Sequence, residues 1–271
     1  MRRYSEKLIY PGLITIVYLL LCGLSPTWAQ DNENVVGLWT FNENDGEVVA
    51  DSSGNGLEAK QAACEWTDGK FDSSALRFNK ANSHVAVPYN EAMDLQEFTI
   101  EFWVSYEAPP AEHVAFMSNR GWEVGDKMTG FTLRDHDGSL YLEILAKGSM
   151  QTAGGIRVED WQFVTVVYDK DRKVSLYLDG ELKKEQQIAG EILYKGAELW
   201  IGAEPGNRYS FGSTGDIIID ELRLSNIAHT QAEIKSAMET GYGQLAVSPS
   251  LKLSTTWGDF EATLPFCWPK N

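Results

Sequence analysis

The chain has 271 residues, of which 43% are hydrophobic, 11% aromatic and 23% charged; such a composition can bury a core and excludes a disordered or low-complexity polymer. Its 23 Lys and Arg face 39 Asp and Glu, a formal net charge of -16, and a surface this acidic repels phosphate backbones and anionic headgroups, so no nucleic-acid partner is expected. Three cysteines, Cys22, Cys64 and Cys267, with no C-x-x-C pair, exclude a zinc ribbon and a disulfide-dense scaffold.

The chain opens on an export pattern. Arg2, Arg3 and Lys7 supply a positive start, Leu13 to Leu24 an apolar stretch, and Thr27-Trp28-Ala29 a small-x-small cleavage site, which predicts a signal peptide over 1–29 with the cut after Ala29. A spanning helix needs roughly 20 apolar residues, and this run ends at Ser25 and Pro26. A lipoprotein site at Cys22 is disfavoured by Leu21, where a small residue belongs. The expectation is a secreted, cell-surface or periplasmic product with no membrane span after cleavage. Losing three basic residues and one acid, Glu6, takes its net charge to -18.

Residues 30–245 read as one all-β domain. Strands are predicted around Val35 to Phe41, Leu57 to Cys64, Ala75 to Phe78 and Val85 to Val87. In Phe98 to Val104 the even positions face one way and Thr99, Glu101 and Trp103 the other, the pattern of a half-buried strand. On that reading Glu101 is a solvated acid. Further strands are expected at Val114 to Met117, Phe131 to Leu133 and Leu140 to Ile144, with Asp135-His136-Asp137-Gly138 a charged turn. Trp161 to Tyr168 is apolar on both faces; Asp169 to Arg172 turns the chain into Val174 to Leu178. Asp179-Gly180 carries the strongest hairpin signal, because a type I′ turn needs positive φ at both central residues, and Leu182 to Ile188 should return from it. Leu199 to Ile201 and Ile217 to Leu224 complete the set. About a dozen short strands with frequent turns predict a two-sheet antiparallel sandwich. Thr230 and Glu233 form a T-x-x-E capping box, so one short helix is expected over 231–240, closed by Gly241. Residues 246–271 read as a final strand, Ala246 to Trp257, and a loose tail from Gly258.

Five blocks in order, "GLWTFNENDGEVVADSSGNG", "ALRFNKANSHVAVP", "FTIEFWV", "WQFVTVVYDKDRKVSLYLDGEL" and "GDIIIDELRLSNIAHTQAEI", resemble bacterial laminin-G-like jelly-roll domains of the concanavalin A-like superfamily over about Val35 to Thr240. The resemblance implies a curved jelly roll that serves secreted and surface proteins as a binding or adhesion module, sometimes with calcium. An extracellular polysaccharide or a surface protein is then the expected partner. The superfamily also contains glycoside hydrolases and polysaccharide lyases. The E-x-D-x-x-E run of the hydrolases does not occur in this chain, which favours the non-catalytic class.

The residues themselves suggest sites. Trp39 and Phe41, two apart, share a face and read as core. Asp51, in the turn Asp51 to Gly56, can bond nearby backbone or offer oxygens to a cation. Asp220 alternates with Ile218, Leu222 and Leu224, and a carboxylate on an apolar face must find a partner or a metal. The resemblance implies that the first and last core strands pair, which makes Asp51 and Asp220 the candidate calcium ligands. Trp122, Arg208 and Tyr209 lie in Gly-containing loops, where packing explains an aromatic less automatically, and are the candidate ligand-binding residues. Four scattered histidines give no H-x-H or H-E-x-x-H motif. After export Cys64 and Cys267 are the only thiols, a candidate disulfide.

Overall fold

Where apolar and polar residues alternate the chain forms strands, and where Asp-Gly interrupts them it reverses. The computed structural model describes residues 32–242 except 72, 81, 108–113, 123–127, 146, 158–159, 189 and 206–215; for 32, 122 and 153 it describes the backbone only. The expected signal segment 1–29, the strand and tail over 246–271, Cys22 and Cys267 lie outside the described residues.

Two eight-stranded antiparallel sheets face each other. The first runs in the order Glu181–Gln187, Lys173–Leu178, Gln162–Tyr168, Phe98–Tyr106, Ile217–Ser225, Ser74–Phe78, Glu65–Asp68, with Val35–Trp39 added to Ile217–Ser225. The second runs Gly148–Gly155, Ser139–Ile144, Phe131–His136, Val114–Ser118, Leu199–Ile201, His84–Val87, Ala59–Ala62, Val48–Val49. Between them lies the main core, which includes Trp39, Phe41, Phe98, Phe102, Phe116, Phe131 and Tyr168. The sandwich expected from the strand pattern is thus observed, with Trp39 and Phe41 fully buried in it.

Turn chemistry sets the hairpins. Asp179 (φ 52°) and Gly180 (φ 67°) take the left-handed conformation that a type I′ turn requires. Asp137 (φ 52°) and Gly138 (φ 74°) do the same between Phe131–His136 and Ser139–Ile144. The turn there is therefore narrower than the four residues expected: Asp135 is a buried strand residue that accepts the Tyr106 hydroxyl at 3.0 Å. The helix Gln231–Thr240 starts at a complete capping box, with Thr230 Oγ1 accepting from Glu233 N and the Glu233 carboxylate accepting from Thr230 N.

This helix packs on the outer face of the first sheet and forms a second, smaller core of Val35, Leu38, Trp103, Phe163, Val167, Ile234, Ala237 and Tyr242. Two expectations fall with it. Phe98–Tyr106 is buried along its whole length, not on one face only. Glu101, expected to be solvated, is 0% exposed. The alternation was read correctly, but the layer that covers its polar side comes from more than 120 residues away in sequence.

A β-bulge corrects a third expectation. Between Asp220 and Arg223 the register of Ile217–Ser225 against Phe98–Tyr106 shifts, and Glu221 takes φ 51°. The extra residue flips the alternation, so Ile217, Ile219, Leu222 and Leu224 all enter the main core. Asp220 therefore does not share a face with Leu222 and Leu224; it points outward with Trp103, its cross-strand partner.

Candidate functional site

Cross-strand partners share a face of a sheet, so the register of the second sheet defines rows on its outer surface. One row reads Glu143, Thr132, Ser118, Trp200, Ala86, Lys60 across six strands. The alternating neighbours Leu199 and Ile201 point into the core, which forces the Trp200 indole outward. There it is half-buried and stacks on the His84 ring at 4.0 Å between centroids and 10° between planes. Trp200 Nε1 donates to Glu198 Oε2 at 2.9 Å, which fixes the indole's orientation. Its neighbours in the row, Ser118 and Ala86, are small, and Ser118 is buried.

Beside this platform lies a polar cluster. Thr132 Oγ1 donates to Glu204 Oε1 at 2.8 Å, and Arg120 Nη1 pairs with the same oxygen at 2.9 Å, both side chains buried. Glu204 Oε2 is buried without a hydrogen-bond partner among the described residues. In the next row Arg134 lies over the Tyr141 ring at 4.3 Å and reaches the Glu143 carboxylate at 3.6 Å. An aromatic platform flanked by fixed carboxylate, guanidinium and hydroxyl groups can stack the weakly apolar face of a sugar and bond its hydroxyls.

Of the sequence-derived ligand-binding candidates, the backbone of Trp122 alone is described. Trp122 belongs to a small ribbon, Gly121–Trp122 with Met128–Thr129, two residues after Arg120, and its side chain is not described. Arg208 and Tyr209 lie outside the described residues, four and five positions after Glu204. The buried Arg120–Glu204 pair thus ties together the segments that lead into the two loops chosen from sequence. Trp200, His84, Arg134, Tyr141 and Glu143 were missed. Their signal is present but local: in Leu199-Trp200-Ile201 the aromatic sits out of phase with two aliphatic core residues.

The two candidate calcium ligands are held by different segments. Asp51 Oδ1 accepts from Leu38 N at 3.1 Å and Ser53 N at 2.9 Å, and its Oδ2 from Leu57 N at 3.0 Å, an Asx-turn arrangement. Asp220 Oδ2 accepts from Lys70 N at 2.8 Å and the Ser73 hydroxyl at 3.4 Å, whereas Oδ1 is buried without a hydrogen-bond partner among the described residues. Burial, with Glu221 adding repulsion, pushes the Asp220 carboxyl up to about 7. A Cβ on Gly69 would stand 2.6 Å from Asp220 Oδ2, 2.7 Å from Ser73 Oγ and 2.8 Å from the Ser74 carbonyl oxygen, so glycine alone fits this oxygen-lined recess. Calcium takes six to eight hard oxygen ligands, and the recess offers oxygens of that kind. Among the described residues no group of three or more His, Cys, Asp or Glu is arranged as a metal cluster.

Cys64 is half-buried, with Sγ donating to the Ala62 and His84 carbonyls at 3.5 and 3.4 Å, and burial pushes its thiol up to about 12. Its candidate partner Cys267 is outside the described residues. Glu101, by contrast, sits in a buried knot. Arg223 donates to its Oε2 through Nε at 2.9 Å and Nη2 at 2.5 Å, and the Tyr242 hydroxyl donates at 3.0 Å. His229 Nδ1 lies 3.2 Å from the same oxygen. Burial opposes its charge, yet Arg223 and His229 together hold the Glu101 carboxyl below the usual carboxylate range.

Three solved structures share the fold. The binding domain of Paraclostridial Mosquitocidal Protein 1 matches at a TM-score of 0.64 and 18% identity over 78% of this chain and 53% of that one. Domain 4 of a GH43 extracellular arabinanase from Geobacillus stearothermophilus, solved with arabinotriose, matches at 0.60 and 17% over 75% of this chain and 97% of that domain. Trypanosoma rangeli sialidase, solved with sialic acid, matches at 0.60 and 15% over 84% of this chain and 39% of the enzyme. The chain thus spans about half of the mosquitocidal binding domain and nearly all of the arabinanase domain. No curated protein sequence matches it. The sequence profile of the laminin-G-like group of the concanavalin A-like lectin/glucanase superfamily matches residues 79–235, more than half of the chain. With its two antiparallel sheets and this match, the chain belongs to the concanavalin A-like lectin/glucanase superfamily.

Proposed function

We propose that this protein is an exported, non-catalytic binding module that holds an extracellular glycan against the outer face of its second sheet. The observation that carries this reading is the Trp200–His84 stack in a row of small and polar residues, with Arg134, Tyr141 and Glu143 one row away. Trp122, Arg208 and Tyr209, the candidates read from the sequence, are part of this proposal as further ligand contacts; in the chain they follow Arg120 by two positions and Glu204 by four and five. The likeness to an arabinanase domain solved with arabinotriose and to a toxin binding domain supports a carbohydrate ligand. Glu143 and Glu204 are each engaged by an arginine, and Glu198 accepts from the Trp200 indole; three acids held in this way support binding over bond cleavage. Export rests on the signal pattern of residues 1–29; among the described residues no helix is long and apolar enough to cross a membrane.

Calcium has a place in the same proposal, at the Asp220 recess. The partnerless Oδ1 supports it, with Ser73 Oγ and the Ser74 carbonyl as further ligands. This recess is on the first sheet's outer side, so the ion stabilises the fold and does not bridge to the glycan.

A glycan array probed with the purified protein, with and without chelator, tests both parts. Binding to a restricted class of glycans, retained in chelator, is the expected result, with a lower melting temperature once the ion is removed. An empty array, or release of reducing ends from a bound polysaccharide, overturns the binding module. An unchanged melting temperature overturns the ion.

A further inference from the structure

A pocket of about 420 Å³ opens at the sandwich rim, lined by Glu33, Val35, Val36, Asn55, Leu57, Asn90, Ala92 and Asn226. None of these residues belongs to the row that carries Trp200. The pocket exists because two short segments cross the ends of the strands. A 3-10 turn, Asn32–Asn34, leads into Val35–Trp39 and is tied to the far end of the first sheet by Asn226 N donating to Asn34 O at 2.9 Å. A second 3-10 turn, Glu91–Met93, is capped by Asn90 Oδ1, which accepts from Ala92 N at 2.9 Å.

The capping bonds decide which polar atoms remain for a ligand. Asn55 Nδ2 donates to the Val35 and Val36 carbonyls at 2.7 and 3.1 Å, which leaves its Oδ1 as an acceptor. Asn90 spends its Oδ1 on the turn and keeps two amide donors. The Glu33 carboxylate and the Asn226 amide make no side-chain hydrogen bond to a described residue, and both side chains are exposed. Val35, Val36 and Leu57 lie almost wholly buried beneath the pocket and Ala92 is exposed in its wall, so the lining is more polar than apolar, and the described lining holds no Lys, Arg or His.

From this donor and acceptor set we infer that the pocket is a second ligand site, for a single neutral sugar ring. Vicinal hydroxyls bond the Glu33 carboxylate and the Asn90 and Asn226 amides, while the ring carbons meet the small apolar area that Ala92 and the edges of Val35, Val36 and Leu57 leave open. Glu33, with no cation in the lining, turns away an anionic sugar. The volume lies toward the lower end of the roughly 300 to 1,000 Å³ range of small-molecule pockets, room for one ring and not for a long chain. Together with the outer-face surface it gives the module two points of attachment, and two weak sites on one glycan mesh raise avidity without any new contact.

The test follows the side-chain amide signals of Asn90 and Asn226 in the nitrogen-15-labelled protein during titration with D-glucose, D-galactose, L-arabinose and N-acetylneuraminic acid. Sugar concentrations reach about 100 mM, enough to saturate a millimolar site worth roughly 4 kcal/mol. A neutral sugar is expected to move both amides saturably. Affinity should fall at least about tenfold, or 1.4 kcal/mol, in Glu33→Gln, in Asn226→Ala and in Ala92→Trp, which fills the pocket from its wall. Trp200→Ala should leave it unchanged, so failure here is distinct from failure of the outer-face site. Both polar substitutions remove exposed side chains, and unchanged backbone spectra confirm that the variants fold. No saturable shift with any neutral sugar, equal affinity in the three variants, or a preference for N-acetylneuraminic acid overturns the inference.

Discussion

At the scale of single residues, the buried charges of the first sheet's outer face decide stability. Glu101 Oε2 collects Arg223, His229 and Tyr242 in a space without solvent. Removing one partner of such a pair strands the other charge, typically at a cost of about 3–5 kcal/mol. Arg223→Met should therefore lower the melting temperature by about 10 °C or more, and Glu101→Gln added to it should restore much of the loss; thermal unfolding of the single and double variants measures this, and additive losses would contradict it. Asp220 makes the opposite electrostatic case. Its folded-state pKa of about 7 lies above the unfolded value near 4, so the folded protein binds that proton more tightly. Its contribution to stability is complete below about pH 4 and is lost as pH rises through about 7. In calcium-free buffer, urea unfolding between pH 5 and pH 8 should show wild type losing up to about 3 kcal/mol that Asp220→Asn keeps; equal pH slopes in the two proteins would contradict this. Calcium added at pH 8 should stabilise wild type and leave Asp220→Asn unaffected.

Single elements show what was legible in the sequence. Hairpins were, because Asp179-Gly180 states its backbone conformation in its composition. The helix was legible from Thr230 and Glu233, and its ends agree with the structure. Losing that cap should cost about 1 kcal/mol: Thr230→Ala is expected to lower the melting temperature by about 2–4 °C, and no change would mean that packing of Ile234 alone fixes the helix. Five of the described strands were missed for lack of contrast or length. Glu65–Asp68 and Gly148–Gly155 are polar or glycine-rich, and Val48–Val49, Gly121–Trp122 and Met128–Thr129 are two residues long. The bulge at Glu221 was invisible for a different reason. Positive φ in a bulge usually calls for glycine, and here a glutamate holds it, its Oε2 accepting from Tyr242 N at 2.5 Å. Alternation read through that point assigned Asp220 to the wrong face. Glu101 was misjudged because the helix that covers it is remote in sequence.

Across the whole molecule the two sheets have divided roles. The central strands of the first, Gln162–Tyr168, Phe98–Tyr106 and Ile217–Ser225, are buried on both sides, by the main core and by the helix with Tyr242, which suits a structural wall. The second carries Trp200, His84, Arg134, Tyr141 and Glu143 half-buried on its outer face, beside the buried Ser118 and Thr132. Family and sandwich could be read from five blocks of sequence, but the surface with Trp200 could not, because it is assembled from six strands whose register only the fold supplies. Trp122 and Arg208 were picked from sequence by the glycines and aromatics around them, and the buried Arg120–Glu204 pair lies just before both in the chain. The most direct test is calorimetric titration of the best array glycan into wild type and Trp200→Ala. The account predicts that the substitution weakens affinity at least about tenfold while the melting temperature moves by less than about 2 °C. Equal affinity in the two proteins would contradict it.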